Sequence, residues 1–294
     1  MSVGIHVRIK HKVDKKATPE ELKDNPEVIS DGVDLQSSIH QYIKDFPKSK
    51  CIQIFTHGPS SKRMCRINIP KLHSLTKTHN IYVHSTYMTA WGNTEKRFAH
   101  ICEQLITSEA INACGLVIHL PKNNPKFVVE NIKKWVGCLL PDSKTKILLE
   151  VRSIRPDGDN TYETPEKLIT LIEAIKGSGL TSDKFGIILD TAHIYVGYAP
   201  IIEGKEAEEY LSSLDDYKEW FPMLHLNGNS YDAQVRAGDK HTTPLSQNDK
   251  IWGGMEYENS GCKVFVDKYL SWGSDIILEI DHHKKNPRKF LYNI

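Results

Sequence analysis

Short apolar, β-branched runs recur along the chain, each bounded by polar or turn residues. The first four are "VGIHVRI" from Val3, "CIQIFT" from Cys51, "NIYVH" from Asn80 and "GLVIHL" from Gly115. "KILLEV" from Lys146, "FGIILD" from Phe185, "PMLHL" from Pro222 and "DIILEI" from Asp275 continue the series. Runs of this length and composition read as buried strands. Helical patterns lie between them: "TEKRFAHICEQLITSEAINA" follows the third run, "PEKLITLIEAIKGSG" the fifth, and "CKVFVDKYLSW" precedes the eighth. The second of these opens with Thr164 as N-cap and Pro165 in the first helical position, and closes near Gly177 or Gly179. Strand and helix thus alternate eight times, at spacings of about 30 to 50 residues, as a right-handed βα barrel requires. A doubly wound open sheet would also alternate, but eight units in one chain of 294 residues close more naturally. The pattern predicts an α/β protein, a single-domain (β/α)8 TIM barrel over residues 1–294. Two connections are long: a charged insertion at about 10–32, with a short helix expected at "TPEELK", and a loop at about 227–259 on the face where barrel active sites sit.

Composition narrows the class without naming a chemistry. The chain is 26% charged and 39% hydrophobic, with a formal net charge of +1, so nucleic-acid binding would have to rest on local charge. No stretch approaches the ~18 apolar residues of a membrane span. "MSVGIHVRIK" lacks the apolar run of a secretory signal. An intracellular, soluble protein with no membrane partner is expected, cytoplasm or nucleus being left open. The six cysteines (Cys51, Cys65, Cys102, Cys114, Cys138, Cys262) are scattered and read as reduced thiols, mostly core filler.

The residues that end the strands carry the chemistry. Strand three ends at His84, strand four at His119, strand five at Glu150 and strand six at Asp190, while strand seven carries His225 and strand eight Glu279. His193 follows Asp190 in "GIILDTAHIYVGY", and Asp239 and His241 stand in the loop "GDKHTTP". Singly, each has an ordinary explanation: Asp190 as a helix N-cap, His119 as a hydrogen-bonded core histidine, Glu150 or Glu279 paired with a buried cation, Asp239 and His241 as loop polarity. Jointly these fail, because six consecutive strands present histidines and carboxylates at one end with no Lys or Arg to neutralise them. Four carboxylates in one pocket repel unless cations join them. Imidazole and carboxylate without thiolate suit zinc or manganese sites with an open position. Nine residues exceed the needs of one ion, and a cluster of two or three ions sharing a bridging carboxylate would attract an anion such as phosphate. Multi-metal hydrolysis of a phosphate ester follows.

In this pattern the chain resembles the endonuclease IV family of apurinic/apyrimidinic (AP) endonucleases, from Ile81 to Glu279. The family's H-x-x-Y stands here as "HSTY" (His84, Tyr87), D-T-x-H as Asp190 to His193, H-L-N as His225 to Asn227, and D-x-H as Asp239 and His241, with His119, Glu150 and Glu279 completing the set. The resemblance implies a barrel holding three zinc ions, with manganese an alternative at one site. One zinc would take His84, His119 and Glu150; a second Glu150, Asp190, His225 and Glu279; a third His193, Asp239 and His241. Glu150 and Glu279 would also serve in catalysis. The implied reaction is hydrolysis of the phosphodiester 5′ to an abasic site in double-stranded DNA by zinc-activated water, leaving a 3′-hydroxyl, by a monomer with no obligatory protein partner. The chain departs from the family with "HLP", "EV", "HLNG", "DKH" and "EID" in place of H-P-G, E-N, H-L-N-D, D-R-H and E-T-P, none of which removes a ligand.

DNA contacts are expected from Tyr87, stacking where the base is missing, and from Asn227, Lys62 and Arg63. Lys62, Arg63 and Arg66 stand in "GPSSKRMCR" after strand two, and Lys284, Lys285 and Arg288 in "HHKKNPRK" after strand eight. Two rival functions use the same barrel. A sugar isomerase or epimerase of the xylose-isomerase type would manage with one or two ions and would leave Asp239 and His241 dispensable. A non-catalytic barrel that binds damaged DNA would need no zinc.

Overall fold

Eight parallel strands close on one another in a computed structural model that describes residues 3–7, 35–57, 67–87, 91, 95–153, 161–233 and 238–279. They are β1 (Val3–Val7), β2 (Cys51–Phe55), β3 (Asn80–His84), β4 (Gly115–His119), β5 (Lys146–Glu150), β6 (Phe185–Asp190), β7 (Met223–His225) and, after a short hairpin of β8 (Gly228–Asn229) and β9 (His241–Thr242), β10 (Asp275–Leu278). Each barrel strand pairs with its sequence neighbour, and β10 closes the ring by lying between β7 and β1. Outside the strands lie α1 (Leu35–Asp45), α2 (Ile69–Leu75), α3 (Glu95–Ala110), α4 (Pro125–Val136), α5 (Pro165–Gly177), α6 (Thr191–Val196), α7 (Gly204–Ser212) and α8 (Gly261–Ser271). The expected barrel is therefore the observed one. Among the described residues no helix is long and apolar enough to cross a membrane.

The helix ends follow local chemistry. Asn124 and Asn68 cap α4 and α2 by accepting from the backbone N–H of Phe127 and Lys71, each ahead of a proline in the first turn. Thr164 occupies the N-cap of α5 without a side-chain bond, and Gly179 just past its end takes φ +83°, a value that glycine reaches without strain.

Alternation along each strand divides two apolar layers. Outward residues such as Ile5, Ile52, Ile54, Leu116, Ile147, Leu149, Leu189 and Ile276 join the main core against the helices. Inward residues, Cys51, Tyr82, Val117, Leu148, Ile188, Met223 and Ile277, form a separate plug inside the barrel. Because successive side chains on one face are two residues apart, the next inward position after each plug residue is fixed. Those positions are Gln53, His84, His119, Glu150, Asp190, His225 and Glu279, and Gly4 is followed in the same way by His6. Register places several directly opposite one another: His6 with Gln53, His119 with Glu150, Asp190 with His225. The plug is thus the floor on which a polar ring rests.

One expectation is corrected. The cysteines are not all reduced thiols, since Cys102 of α3 and Cys138, just beyond α4, form a disulfide with Cα atoms 5.5 Å apart. The partners are separated by 36 residues, and it is the packing of successive barrel helices that brings them together. Cys51, Cys114 and Cys262 are free, the first and last buried as the core reading required. The insertion at 10–32, Cys65, Lys62, Arg63 and Arg66, and Lys284, Lys285 and Arg288 lie outside the described residues.

The floor has little room to spare. A Cβ on Gly4 would fall 1.9 Å from the Cys51 carbonyl oxygen, a backbone atom that cannot step aside. Gly4→Ala is expected to cost about 1–3 kcal/mol, or roughly 2–4 °C of melting temperature per kcal/mol in a chain of this size. Thermal unfolding followed by circular dichroism checks this, and an unchanged midpoint would refute the packing argument.

Candidate metal centre

Glu150 sits at the centre of the ring. It is fully buried at the end of β5, and its Oε2 lies 3.1 Å from Nε2 of both His84 and His119. Its Oε1 lies 3.0 Å from His225 Nδ1 and 3.3 Å from His193 Nδ1. Asp190 and Glu279 approach His225 Nδ1 at 3.8 and 3.4 Å. Asp239 and His241 come from the loop after β7, where β8 and β9 pair antiparallel. The buried Asp249 carboxylate holds that loop by accepting from the backbone N–H of Asn229, Leu245 and Ile251. His241 Nε2 is thereby set 3.0 Å from Asp239 Oδ2 and 3.6 Å from Asp190 Oδ2, and His193 Nε2 3.7 Å from Asp239 Oδ2.

All nine residues singled out for metal binding meet in this one place. Three groups have donor atoms close enough to share an ion: His84 with His119 and Glu150; Glu150 with Asp190, His225 and Glu279; and Asp190 with His193 and His241. Asp190 accordingly faces two groups, and Asp239 flanks the third. Asp190 also caps α6, its Oδ1 accepting from the N–H of Ala192 and His193 at 2.8 and 3.1 Å while Oδ2 turns to the cluster. One oxygen of this side chain thus caps the helix while the other faces the cluster.

The donor set fits divalent cations. Three imidazoles have one nitrogen occupied outside the cluster, which turns the other inward: His84 Nδ1 donates to Ser85 O at 2.7 Å, His193 Nδ1 to Val151 O at 2.8 Å, and His225 Nε2 to Gln53 Oε1 at 2.8 Å. Metal-ligating histidines are held in this way. His241 Nε2 is buried and makes no hydrogen bond, although it points at two carboxylates. Without ions the cluster balances its charge by holding protons. Burial alone would raise Glu150, but His119 and His225 outweigh it and keep its carboxyl well below the usual range. Burial opposes charging of His225, yet Glu279 and Glu150 push it up to about 9. Burial raises Asp190, with His193 and His241 opposing. Imidazoles that gather around buried carboxylates in this way are ones that a divalent cation can bridge by displacing protons.

Four further residues of the site did not stand out in the sequence. Gln53 donates from Nε2 to Glu279 Oε1 at 2.6 Å while its oxygen holds His225, and His6 lies beside both, 2.9 Å from Gln53 Nε2. Arg152 and Lys122 line the cavity of about 720 Å³ into which His84, His119, His193 and Glu279 open. Gln53 and His6 were detectable only from the two-residue spacing behind Cys51 and Gly4. Tyr87, 55% exposed, stands on the cavity wall with its ring 5.6 Å from His84 and 5.7 Å from His119.

Asn227 requires a correction. Expected at the DNA surface, it is fully buried, and its amide donates to Asp190 Oδ2 at 2.7 Å while its oxygen accepts from the Glu279 N–H at 2.9 Å. Its bonds go to two carboxylate residues of the cluster, so it positions those residues rather than reaching a nucleotide.

No family model matches the chain. A probable AP endonuclease of African swine fever virus (isolate Tick/Malawi/Lil 20-1/1983) is 29% identical over 244 residues, covering 78% of either chain. A probable endonuclease 4 of Thermosipho africanus (strain TCF52B) is 25% identical over 262 residues, covering 85% of either chain. The crystal structure of endonuclease IV from Thermus thermophilus superposes with a TM-score of 0.70 at 20% identity, over 100% of this chain and 97% of that one. The motif-level resemblance to endonuclease IV is thus matched by sequence relatives, and the barrel is the one that enzyme has.

Because Asn227 hydrogen-bonds Asp190 and Glu279 from behind the cluster, Asn227→Ala should lower affinity for a divalent metal ion about 10–100-fold. Competition titration against a chromophoric chelator measures this, and wild-type affinity in the variant would show that Asp190 and Glu279 need no such support.

Proposed function

We propose that this protein is an AP endonuclease of the endonuclease IV type, which binds double-stranded DNA at an abasic site and hydrolyses the phosphodiester on its 5′ side, leaving a 3′-hydroxyl. The observation that carries the reading is the convergence of five imidazoles and four carboxylates in one cluster that opens into a cavity through His84, His119, His193, Asp239, His241 and Glu279, with Glu150 shared between groups. In this reading three zinc ions occupy the cluster: one on His84, His119 and Glu150, one on Glu150, Asp190, His225 and Glu279, and one on His193, His241 and the flanking Asp239. Zinc there supplies Lewis acidity toward a phosphate oxygen and toward the attacking water.

The protein's own side chains do the rest. Gln53 and Asn227 hold Glu279 and its neighbours in place, so that the carboxylates need not reorganise when substrate arrives. Tyr87 offers a ring at the cavity wall to stack where the base is absent, since a missing base makes extrusion of the nucleotide least costly. Arg152 and Lys122 supply positive charge on the same wall for the phosphates that flank the lesion. In this reading the protein acts as a monomer. DNA as substrate puts that action inside a cell. The closeness of His241 to Asp239 and Asp190 disfavours the sugar-isomerase alternative, which would have no use for a third group.

A duplex carrying one tetrahydrofuran abasic analogue tests the reading, because the analogue cannot undergo β-elimination. Zinc-loaded protein is expected to cut on its 5′ side and leave an end that a polymerase extends, and His241→Ala to lose more than the ~100-fold that an outer partner alone contributes. An uncut duplex would overturn the proposal, and full activity of His241→Ala would favour the one-ion sugar enzyme. Arg152→Ala should weaken binding to all duplexes alike and reduce the slope of log affinity against log salt by about 1. An unchanged slope would remove Arg152 from the phosphate path.

A further inference from the structure

Away from the cluster, the described residues bring one other set of metal-competent side chains together: His57, His100 and Glu103, with donor atoms within 4.8 Å of one another. None of the nine ligands above is among them. His57 stands two residues beyond β2, while His100 and Glu103 are three apart on α3 and so share a helix face.

The two imidazoles are arranged alike. His57 is fully buried; its Nδ1 lies 3.1 Å from the Thr56 hydroxyl, while its Nε2 makes no hydrogen bond and faces Glu103 Oε1 at 3.8 Å. His100, also buried, has Nε2 3.4 Å from the Thr86 hydroxyl and Nδ1 3.7 Å from Glu103 Oε2. The rings meet edge to face, 5.4 Å apart at 87°. Each histidine therefore rests one nitrogen on a threonine and aims the other at a single carboxylate, as metal ligands do. The separations of 3.7 and 3.8 Å are too long for hydrogen bonds. They are close to the ~3.3 Å expected between donors that share a tetrahedral ion at about 2.0–2.1 Å.

We propose that His57, His100 and Glu103 bind a divalent transition-metal ion, zinc by its donor type, at a site separate from the catalytic cluster. Two imidazoles and a carboxylate are sufficient protein ligands, and the exposed side of Glu103 leaves room for a water as the fourth. The ion ties the chain emerging from β2 to α3. It also stiffens the segment that carries Tyr87, because Thr86 touches His100 through its hydroxyl and bonds Gln104 Oε1 through its N–H at 3.0 Å. This assignment rests on its own three residues and stands whether or not the cluster cleaves DNA.

Zinc is to be counted by mass spectrometry on protein dialysed against metal-free buffer, for the full chain and for Glu103→Ala. Glu103 is more than half exposed on a helix, so alanine there leaves the fold undisturbed, which far-ultraviolet circular dichroism verifies. The expected result is one zinc equivalent fewer per chain in Glu103→Ala, and a zinc-edge anomalous peak between His57 and Glu103 in crystals of the full chain. An equal zinc count in the two proteins overturns the site, as does an anomalous map with no peak there.

Discussion

A single fully buried carboxylate governs this structure. Glu150 has an imidazole nitrogen of each of His84, His119, His193 and His225 within 3.3 Å. An ionised carboxylate taken out of water costs several kcal/mol unless its partners are close and well placed. Here the partners come from β3, β4 and β7 and from α6, which follows β6 directly, so the barrel cannot close correctly without assembling the site. Nor can the site be assembled without positive charge. Asp190 and Glu279 add two more buried carboxylates to the same volume, and no lysine or arginine ion pair reaches Glu150, Asp190 or Glu279 among the described residues. Protonated histidines can carry that charge, but divalent ions carry more of it per donor and leave the imidazoles free to coordinate.

The geometry that makes this possible is the two-residue period of a strand. Every residue that a strand gives to the cluster stands two positions beyond an apolar plug residue: His84 after Tyr82, His119 after Val117, Glu150 after Leu148, Asp190 after Ile188, His225 after Met223, Glu279 after Ile277. Hydrophobic burial below thus fixes the height at which the polar ring forms above. The same floor accounts for the glycines Gly4, Gly115 and Gly186, where a Cβ would strike a neighbouring strand's atoms.

What could be read from the sequence follows from that period. Six residues of the cluster were visible because each stands at or just past the end of its strand, where a histidine or carboxylate interrupts the apolar pattern. Gln53 and His6 occupy equivalent inward positions but lie inside their strands, short of the ends of β2 at Phe55 and β1 at Val7, so "CIQIFT" and "VGIHVRI" pass for ordinary strands. Asp239 and His241 owe their place to a hairpin fastened by Asp249, a tertiary constraint that no periodicity records, so from the residues alone they were loop candidates with an equally ordinary reading as loop polarity. Asn227 misled for a related reason. An asparagine in a loop reads as a surface group, yet its bonds to Asp190 and Glu279 fold it inward. The Cys102–Cys138 bridge and the His57 group depend on which barrel elements lie side by side, which spacing along the chain does not encode.

The segment from His84 to Tyr87 shows how the layers combine into a working surface. His84 is held from the barrel interior, by Glu150 on one nitrogen and Ser85 O on the other. Two residues on, Thr86 is held from the opposite side by Gln104 and His100 of α3. Tyr87 follows immediately and is the first residue of the segment to reach the cavity wall in the open. The stacking role proposed for Tyr87 would be favoured by a backbone that is already fixed, since any freedom it kept would have to be lost on binding. The contacts of His84 and Thr86, just before the ring, supply that rigidity, and they connect its position to the same Glu150–His84 contact on which the cluster depends.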